Sequence, residues 1–253
     1  MERVVLITGG SRGIGLATAG LFAAAGASVV IAGRRPEALD AAVARLDHPG
    51  RVRRVAADVG TVAGCEAAVA AATGHFGRLD VLFTNAGGYE SAPLGSVTEE
   101  LWDRTIDTHL KGTFFTVQAA APALRAAGGC VVTMASDAGL LGMRGGWAAY
   151  CAAMGGVINL TRQLALDLAP DVRVNAVAPG PVGTETLYRA MTGGAYGGFG
   201  DAGDPVRAVT GTMPLRRLID PEEIARAVAF LADARSMTGA VLSVDAGTSA
   251  ALP

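Results

Sequence analysis

Lysine is almost missing from this chain. Its 21 basic residues are 20 arginines and one lysine, Lys111, so chemistry that requires a lysine amine must use that residue or do without it. Cysteine is also sparse. Cys65, Cys130 and Cys151 are odd in number and widely spaced, which excludes a disulfide framework and reads as reduced core thiols in a cytoplasmic protein. There is no basic excess: the formal net charge is -2, with charges dispersed along the chain. A nucleic-acid binder working through a broad basic surface is therefore excluded. No apolar run approaches the ~18 residues of a membrane span, and no signal peptide precedes the strand-like run that starts at Arg3, so export is not expected. His48 and His75 lie apart from each other and from paired cysteines, and no metal site is expected.

What remains is an apolar chain. Its 253 residues are 51% hydrophobic, 17% charged and only 5% aromatic, a balance that describes a soluble globular protein with a large core. The 35 glycines and 11 prolines form no repeat and act as punctuation. Short β-branched runs alternate with longer Ala/Leu-rich segments. Strands are expected at Val4 to Ile7, Ser28 to Ala32, Arg51 to Ala57, Leu79 to Thr84, Cys130 to Ala135, Val172 to Val177 and Ala240 to Val244. Between them, helical spacing covers Gly15 to Ala25, Pro36 to Leu46, Val62 to His75, Thr98 to Ala127, Trp147 to Ala169 and Pro221 to Leu231. Right-handed β-α-β crossovers then predict an α/β fold: one Rossmann-like doubly wound domain over residues 1–253, with a seven-stranded parallel sheet flanked by helices. The exception is a long, Gly-rich stretch within 180–213, expected as an irregular substrate-loop insertion from about residue 184 onward.

The first strand runs into Thr8-Gly9-Gly10-Ser11-Arg12-Gly13-Ile14-Gly15 and then a helix. Glycines allow a tight turn and close approach of backbone to phosphate, and the helix start supplies free N–H groups and a positive dipole end. With this loop, Asp58-Val59, Asn85-Ala86-Gly87, the segment from Asn175 through Pro179, Gly180, Val182 and Thr184, and Val244-Asp245-Ala246-Gly247, the chain resembles the short-chain dehydrogenases/reductases from end to end. The resemblance implies that Gly9, Ser11, Arg12, Gly13, Ile14 and Gly15 hold a dinucleotide pyrophosphate. Asp58 and Val59 would contact adenine, and Pro179, Gly180, Val182 and Thr184 would close around nicotinamide. Where an acidic residue would accept from the adenosine 2′-hydroxyl, this chain has Gly33-Arg34-Arg35. Arg34, Arg35 and Arg12 suit a 2′-phosphate, so NADP(H) is expected over NAD(H).

The resemblance further implies catalysis by Asn, Ser, Tyr and Lys. Ser136 and Tyr150 match the Ser and the Tyr. Four residues beyond Tyr150, on the same helix face, stands Met154 instead of Lys, and His109 stands where the Asn belongs. Methionine fills the lysine stem's volume without its charge, so Tyr150 is expected to stay a neutral phenol near its reference pKa of ~10, able to donate a proton in reduction. Three explanations remain open: a reductase of ketones or imines with a rearranged proton supply, a non-catalytic relative that binds NADP(H) or a ligand, and an engineered inactive variant. In the first, His109, with a reference pKa of ~6.5, would relay protons to Tyr150. Tyr89, Met143, Trp147, Leu187, Tyr196 and Phe199 are expected to line a largely apolar pocket for a small molecule. The resemblance also implies a homotetramer, or a homodimer, built partly on the Trp147–Ala169 helix.

Overall fold

The computed structural model describes residues 3–192 and 204–251. The strands are β1 (Val4–Thr8), β2 (Ser28–Gly33), β3 (Val52–Ala56), β4 (Val81–Thr84), β5 (Cys130–Met134), β6 (Arg173–Pro179) and β7 (Val241–Val244). They form a seven-stranded sheet in the order β3-β2-β1-β4-β5-β6-β7, parallel throughout. The intervening helices are α1 (Gly13–Ala24), α2 (Pro36–Leu46), α3 (Val62–Phe76), α4 (Glu99–Ile106), α5 (Gly112–Ala127), α6 (Ala148–Leu168), α7 (Glu185–Thr192), α8 (Pro205–Gly211) and α9 (Pro221–Asp233). No helix among the described residues is long and apolar enough to cross a membrane.

Side chains alternate across each strand, and so one sheet feeds two cores. Val5, Ile7, Val29, Ile31 and Val132 pack with Phe22 of α1 and Ile224 and Val228 of α9. Their neighbours Val4, Leu6, Val30, Leu82 and Val131 pack with Cys65 and Ala68 of α3 and Val117 and Leu124 of α5. Covered on both sides, β1 and β4 are buried at every residue, which is why they read as continuous apolar runs rather than as alternations.

Two expectations need correction. The helix expected from Thr98 to Ala127 is interrupted by a π turn, Asp107–Lys111, between α4 and α5. Thr hydroxyls hold carbonyls at this irregularity: Thr113 Oγ1 donates to His109 O at 2.7 Å and Thr116 Oγ1 to Gly112 O at 2.6 Å. Gly112 itself lies so close to α3's approach that a Cβ there would sit 2.5 Å from the Val59 carbonyl oxygen. The insertion is not irregular throughout either. It contains α7, begun by Thr184 Oγ1 accepting from Leu187 N at 3.3 Å, and α8, capped by Asp204 with Pro205 in its first turn.

Asn175 stitches β6 to the run leading into β7. Fully buried, it donates from Nδ2 to Met237 O at 2.8 Å and accepts at Oδ1 from Ala240 N at 3.0 Å. Although the resemblance groups it with the nicotinamide segment, its side chain is spent inside the sheet. Asn175→Ala strands two backbone groups and should lower unfolding free energy by about 2–5 kcal/mol, measured by denaturant titration. A loss within experimental error would show that these bonds contribute little.

Candidate active site

At the C-terminal edge of the sheet, the chain leaves β1 toward β2 and leaves β4 toward β5, on opposite sides. Parallel sheets open a crevice at such a switch point. Here it is a cleft of about 770 Å³, within the size range of small-molecule sites.

A hydrogen-bonded clamp shapes its floor. Thr8 Oγ1 accepts from Asn85 N and Ala86 N, each at 3.0 Å. Asn85 Nδ2 returns bonds to Thr8 O at 2.9 Å and Gly9 O at 3.1 Å. Gly9 has φ +67, and a Cβ there would meet Ala86 Cα at 2.8 Å, so both conformation and space demand glycine. The start of α1 has no side-chain cap on its N–H groups, and Ser11, Arg12, Gly13 and Ile14 line the cleft there. These residues fit a dinucleotide pyrophosphate: bare backbone donors, a positive helix end and a loop that admits no side chain. Gly15 does not line the cleft. A Cβ on it would strike the Gly9 carbonyl oxygen, which makes it the glycine that lets α1 pack on the loop.

The remaining walls follow from strand ends. Arg34, Arg35, Asp58, Val59, Asn85, Ala86, Gly87, Pro179, Gly180 and Thr184 all line the cleft. Val182 does not: it is fully buried and bridges to Ile219. Arg12 titrates below its ordinary value because it is partly buried and crowded by Arg35, with Arg189 and Arg34 acting in the same direction against Glu185. Arg189, on α7, also lines the cleft. It pairs with Glu185 at 2.5 Å, and their i,i+4 spacing is the one signal of that pairing in the sequence.

Ser136 follows β5, and Tyr150 sits in the first turn of α6; both line the cleft. Three rings surround Tyr150 edge-on, with centroids at 5.4 Å for His109, 5.7 Å for Tyr89 and 6.0 Å for Trp147. Met154, one turn along, is 1% exposed and belongs to the core rather than to the cleft wall. Lys111 gives no substitute cation there, since its Nζ is bound to Asp107 Oδ1 at 3.0 Å and it does not line the cleft.

His109 lines the cleft but differs from the expected relay. Its Nε2 lies 3.0 Å from Gly88 O, the geometry of an N–H donating to that carbonyl, and 3.3 Å from Gly88 N. Burial lowers its pKa, against a smaller upward pull from the Gly88 bond. Burial therefore disfavours the imidazolium that the expected relay would use, and Nε2 is engaged with the Gly88 backbone. Asp137 is the titratable group that the sequence analysis overlooked. Only 4% exposed, it accepts from Ser136 Oγ at 2.9 Å, and burial pushes its carboxyl up to about 6. Tyr89 is pushed up to about 12 by burial and by Asp137, so it stays a phenol.

Of the expected substrate residues, Tyr89 lines the cleft. Trp147, 2% exposed, stands behind it at 6.3 Å, ring to ring. Met143 packs against the core. Leu187 is fully buried there, because the α7 residues that turn toward the cleft are Thr186, Arg189 and Ala190. Tyr196 and Phe199 lie outside the described residues.

Gly87 and His109 are matched: a Cβ on Gly87 would collide with the imidazole at Cε1. Gly87→Ala should therefore destabilise the protein by about 1–3 kcal/mol. In the double variant with His109→Ala most of that increment should vanish, a coupling readable in a double-mutant cycle; additive losses would contradict the pairing. Because the buried ring favours its neutral form, the unfolded chain takes up the proton first. His109 should thus cost stability as pH falls through the ordinary histidine range, and His109→Ala should flatten that part of a Tm-against-pH curve.

Residues 9–249 match the family described as Enoyl-(Acyl carrier protein) reductase. The chain is 39% identical to a trans-4-hydroxycyclohexanecarboxylate dehydrogenase of Sinomonas cyclohexanicum, over 98% of this chain and 93% of that one. Its fold is similar to the crystal structure of levodione reductase, with TM-score 0.90 and 36% identity over 99% of this chain and 98% of the other. It is also similar to an actinorhodin polyketide ketoreductase variant solved with NADPH, with TM-score 0.92 and 30% identity over 98% of this chain and 97% of the other. These likenesses mean that the chain belongs to the short-chain dehydrogenase/reductase family of oxidoreductases.

Proposed function

We propose that this protein is an NADP(H)-dependent reductase acting on a carbonyl or imine carbon of a small, largely apolar substrate, with the whole chain working as one catalytic domain. The observation that carries this reading is a single cleft with guanidinium groups at one end and Ser136 with Tyr150 at the other. Burial depresses Arg12 first, and the charges of Arg35 and, less, Arg34 add to it; a dianionic 2′-phosphate would offset that repulsion. Its adenine would rest by Asp58 and Val59, and its nicotinamide by Pro179 and Gly180. The relatives' names, a hydroxycyclohexanecarboxylate dehydrogenase and a levodione reductase, support a cyclic alcohol–ketone pair as the substrate class. They do not favour a non-catalytic binder.

When bound, the reduced nicotinamide supplies a hydride. Tyr150 holds the accompanying proton at its phenol oxygen and delivers it to the substrate oxygen, and for an imine already protonated only the hydride is needed. Tyr89, Trp147 and His109 fix the Tyr150 ring from three sides, which makes His109 a positioning residue in this reading. Met154 leaves the tyrosine without the cation that the family places there, so oxidation, which needs a phenolate base, should be the weaker direction. Exposed Leu166 on α6 and Phe230 on α9, 75% and 54% exposed in the single chain, support the homotetramer or homodimer expected from the resemblance.

NADPH should bind at least about tenfold more tightly than NADH, the scale of one charge-assisted contact, and Arg34→Ala with Arg35→Ala should abolish the difference. Equal or tighter NADH binding would sink the cofactor assignment. Tyr150→Phe should reduce ketone turnover by at least about 100-fold, with NADPH affinity retained; wild-type rates in that variant would remove Tyr150 from the chemistry.

A further inference from the structure

We propose that Asp137 is a positioning residue that reverses the hydrogen-bond polarity of Ser136, so that the serine accepts a hydrogen from the substrate's reacting atom instead of donating one. The site then favours a group that carries its own hydrogen, a secondary alcohol or a protonated imine, over a ketone. This rests on the reductase reading for where the substrate sits and goes beyond it in what Ser136 offers.

A hydroxyl has one hydrogen and two lone pairs. Ser136 Oγ donates to Asp137 Oδ1 at 2.9 Å, has the Pro179 carbonyl oxygen as a weaker alternative at 3.4 Å, and accepts from Ala138 N at 3.2 Å. A carboxylate is the stronger of the two acceptors. The hydrogen is therefore drawn inward, one lone pair is taken by Ala138, and a lone pair is what remains for the cleft. A ketone oxygen facing it finds no donor in Ser136 and depends on Tyr150 alone. An alcohol O–H or an iminium N–H finds an acceptor.

Protonation of Asp137 reverses this. The carboxylic acid donates to Ser136 Oγ, and the serine hydrogen is released toward the cleft. The bonds from Ser136 Oγ and Ala138 N hold the charged form, while burial and the Asp245 charge favour protonation and prevail. Tyr89, from the segment after β4, is held as a phenol partly by the Asp137 charge. Cys151 on α6 is likewise pushed up by burial and, to a smaller degree, by Asp137. Asp245, beyond β7, pushes the Asp137 carboxyl up, while its own charge is held by Gly247 N and Ser249 N, each at 2.9 Å. Tyr150, on the same helix as Cys151, meets His109, Tyr89 and Trp147. The buried Met154 carries no charge. With the carboxyl titrating at about 6, ketone affinity is high below that point and falls as pH rises through it; alcohol affinity is not lost in that direction.

The test uses two dead-end complexes, cyclohexanone with oxidised cofactor and cyclohexanol with reduced cofactor, so that binding is read without turnover. In the wild type, the ketone Kd should rise about tenfold across the Asp137 titration while the alcohol Kd does not, the scale of one hydrogen bond of the wrong polarity. Asp137→Asn, whose amide donates to Ser136 Oγ at every pH, should bind the ketone with no such dependence. Ketone and alcohol affinities that change in parallel with pH would overturn the proposal. A second measurement needs neither cofactor nor substrate: the carboxyl carbon NMR titration of Asp137, assigned with Asp137→Asn. Loss of the Ser136 donor in Ser136→Ala should raise its midpoint, because the charged form loses a partner. An unmoved midpoint would overturn the proposal, whereas failure to bind cofactor, with the midpoint raised, would count against the reductase reading alone.

Discussion

The seam between β1 and β4 is the constraint from which the rest of the site follows. Two parallel strands end side by side with their chains departing in opposite directions, and their unpaired backbone groups must find partners. Thr8 and Asn85 supply them reciprocally, through four bonds of 2.9 to 3.1 Å. That clamp presses Gly9 against Ala86 so closely that only glycine fits, and it turns the start of α1 toward the cleft. On its other side the chain continues through Gly87 and Gly88 into contact with His109, and His109 stands against Tyr150. The glycine-loop end of the cleft and its Tyr150 end are thus connected through one short, close-packed segment.

Electrostatically the two ends are opposites. At the glycine-loop end, burial and then the neighbouring Arg35 hold the Arg12 guanidinium below its ordinary value. The Tyr150 end holds a buried carboxyl, an imidazole whose pKa burial lowers, and the buried Met154. The rings of His109, Tyr89 and Trp147 enclose Tyr150 edge-on and set its orientation by packing.

Much of this was legible before any coordinates. The alternation of apolar runs with Ala-rich helices determined the parallel sheet because a strand buried on both faces must be apolar throughout, and a crossover of helical length forces its successor to run parallel. Pro36–Leu46 was delimited to the residue, since proline suits a first helical turn. The glycine loop, Ser136, Tyr150 and Met154 were identifiable because their spacing is local. The π turn was not, because periodicity sees apolar positions and a single extra residue hardly disturbs them. The pair of helices within 180–213 escaped notice for a related reason: short helices between glycines carry too few residues to show a period.

What each side chain faces was decided by tertiary structure alone. Leu187 and Thr186 are neighbours in sequence, yet one is core and the other cleft, since a helix rotates about a third of a turn per residue. His109 in sequence is a titratable ring near neutral pH; in the fold it is buried and bonded to Gly88, and burial lowers its proton affinity. Asp137 in sequence is an acid beside a serine; in the fold it has lost its water and holds that serine's hydrogen. By itself the sequence determined the architecture and placed the glycine-rich turn at the end of β1, because each depends on residue type at short spacing. Protonation states and donor directions depend on which distant segments exclude water from a group, and only the folded chain sets that.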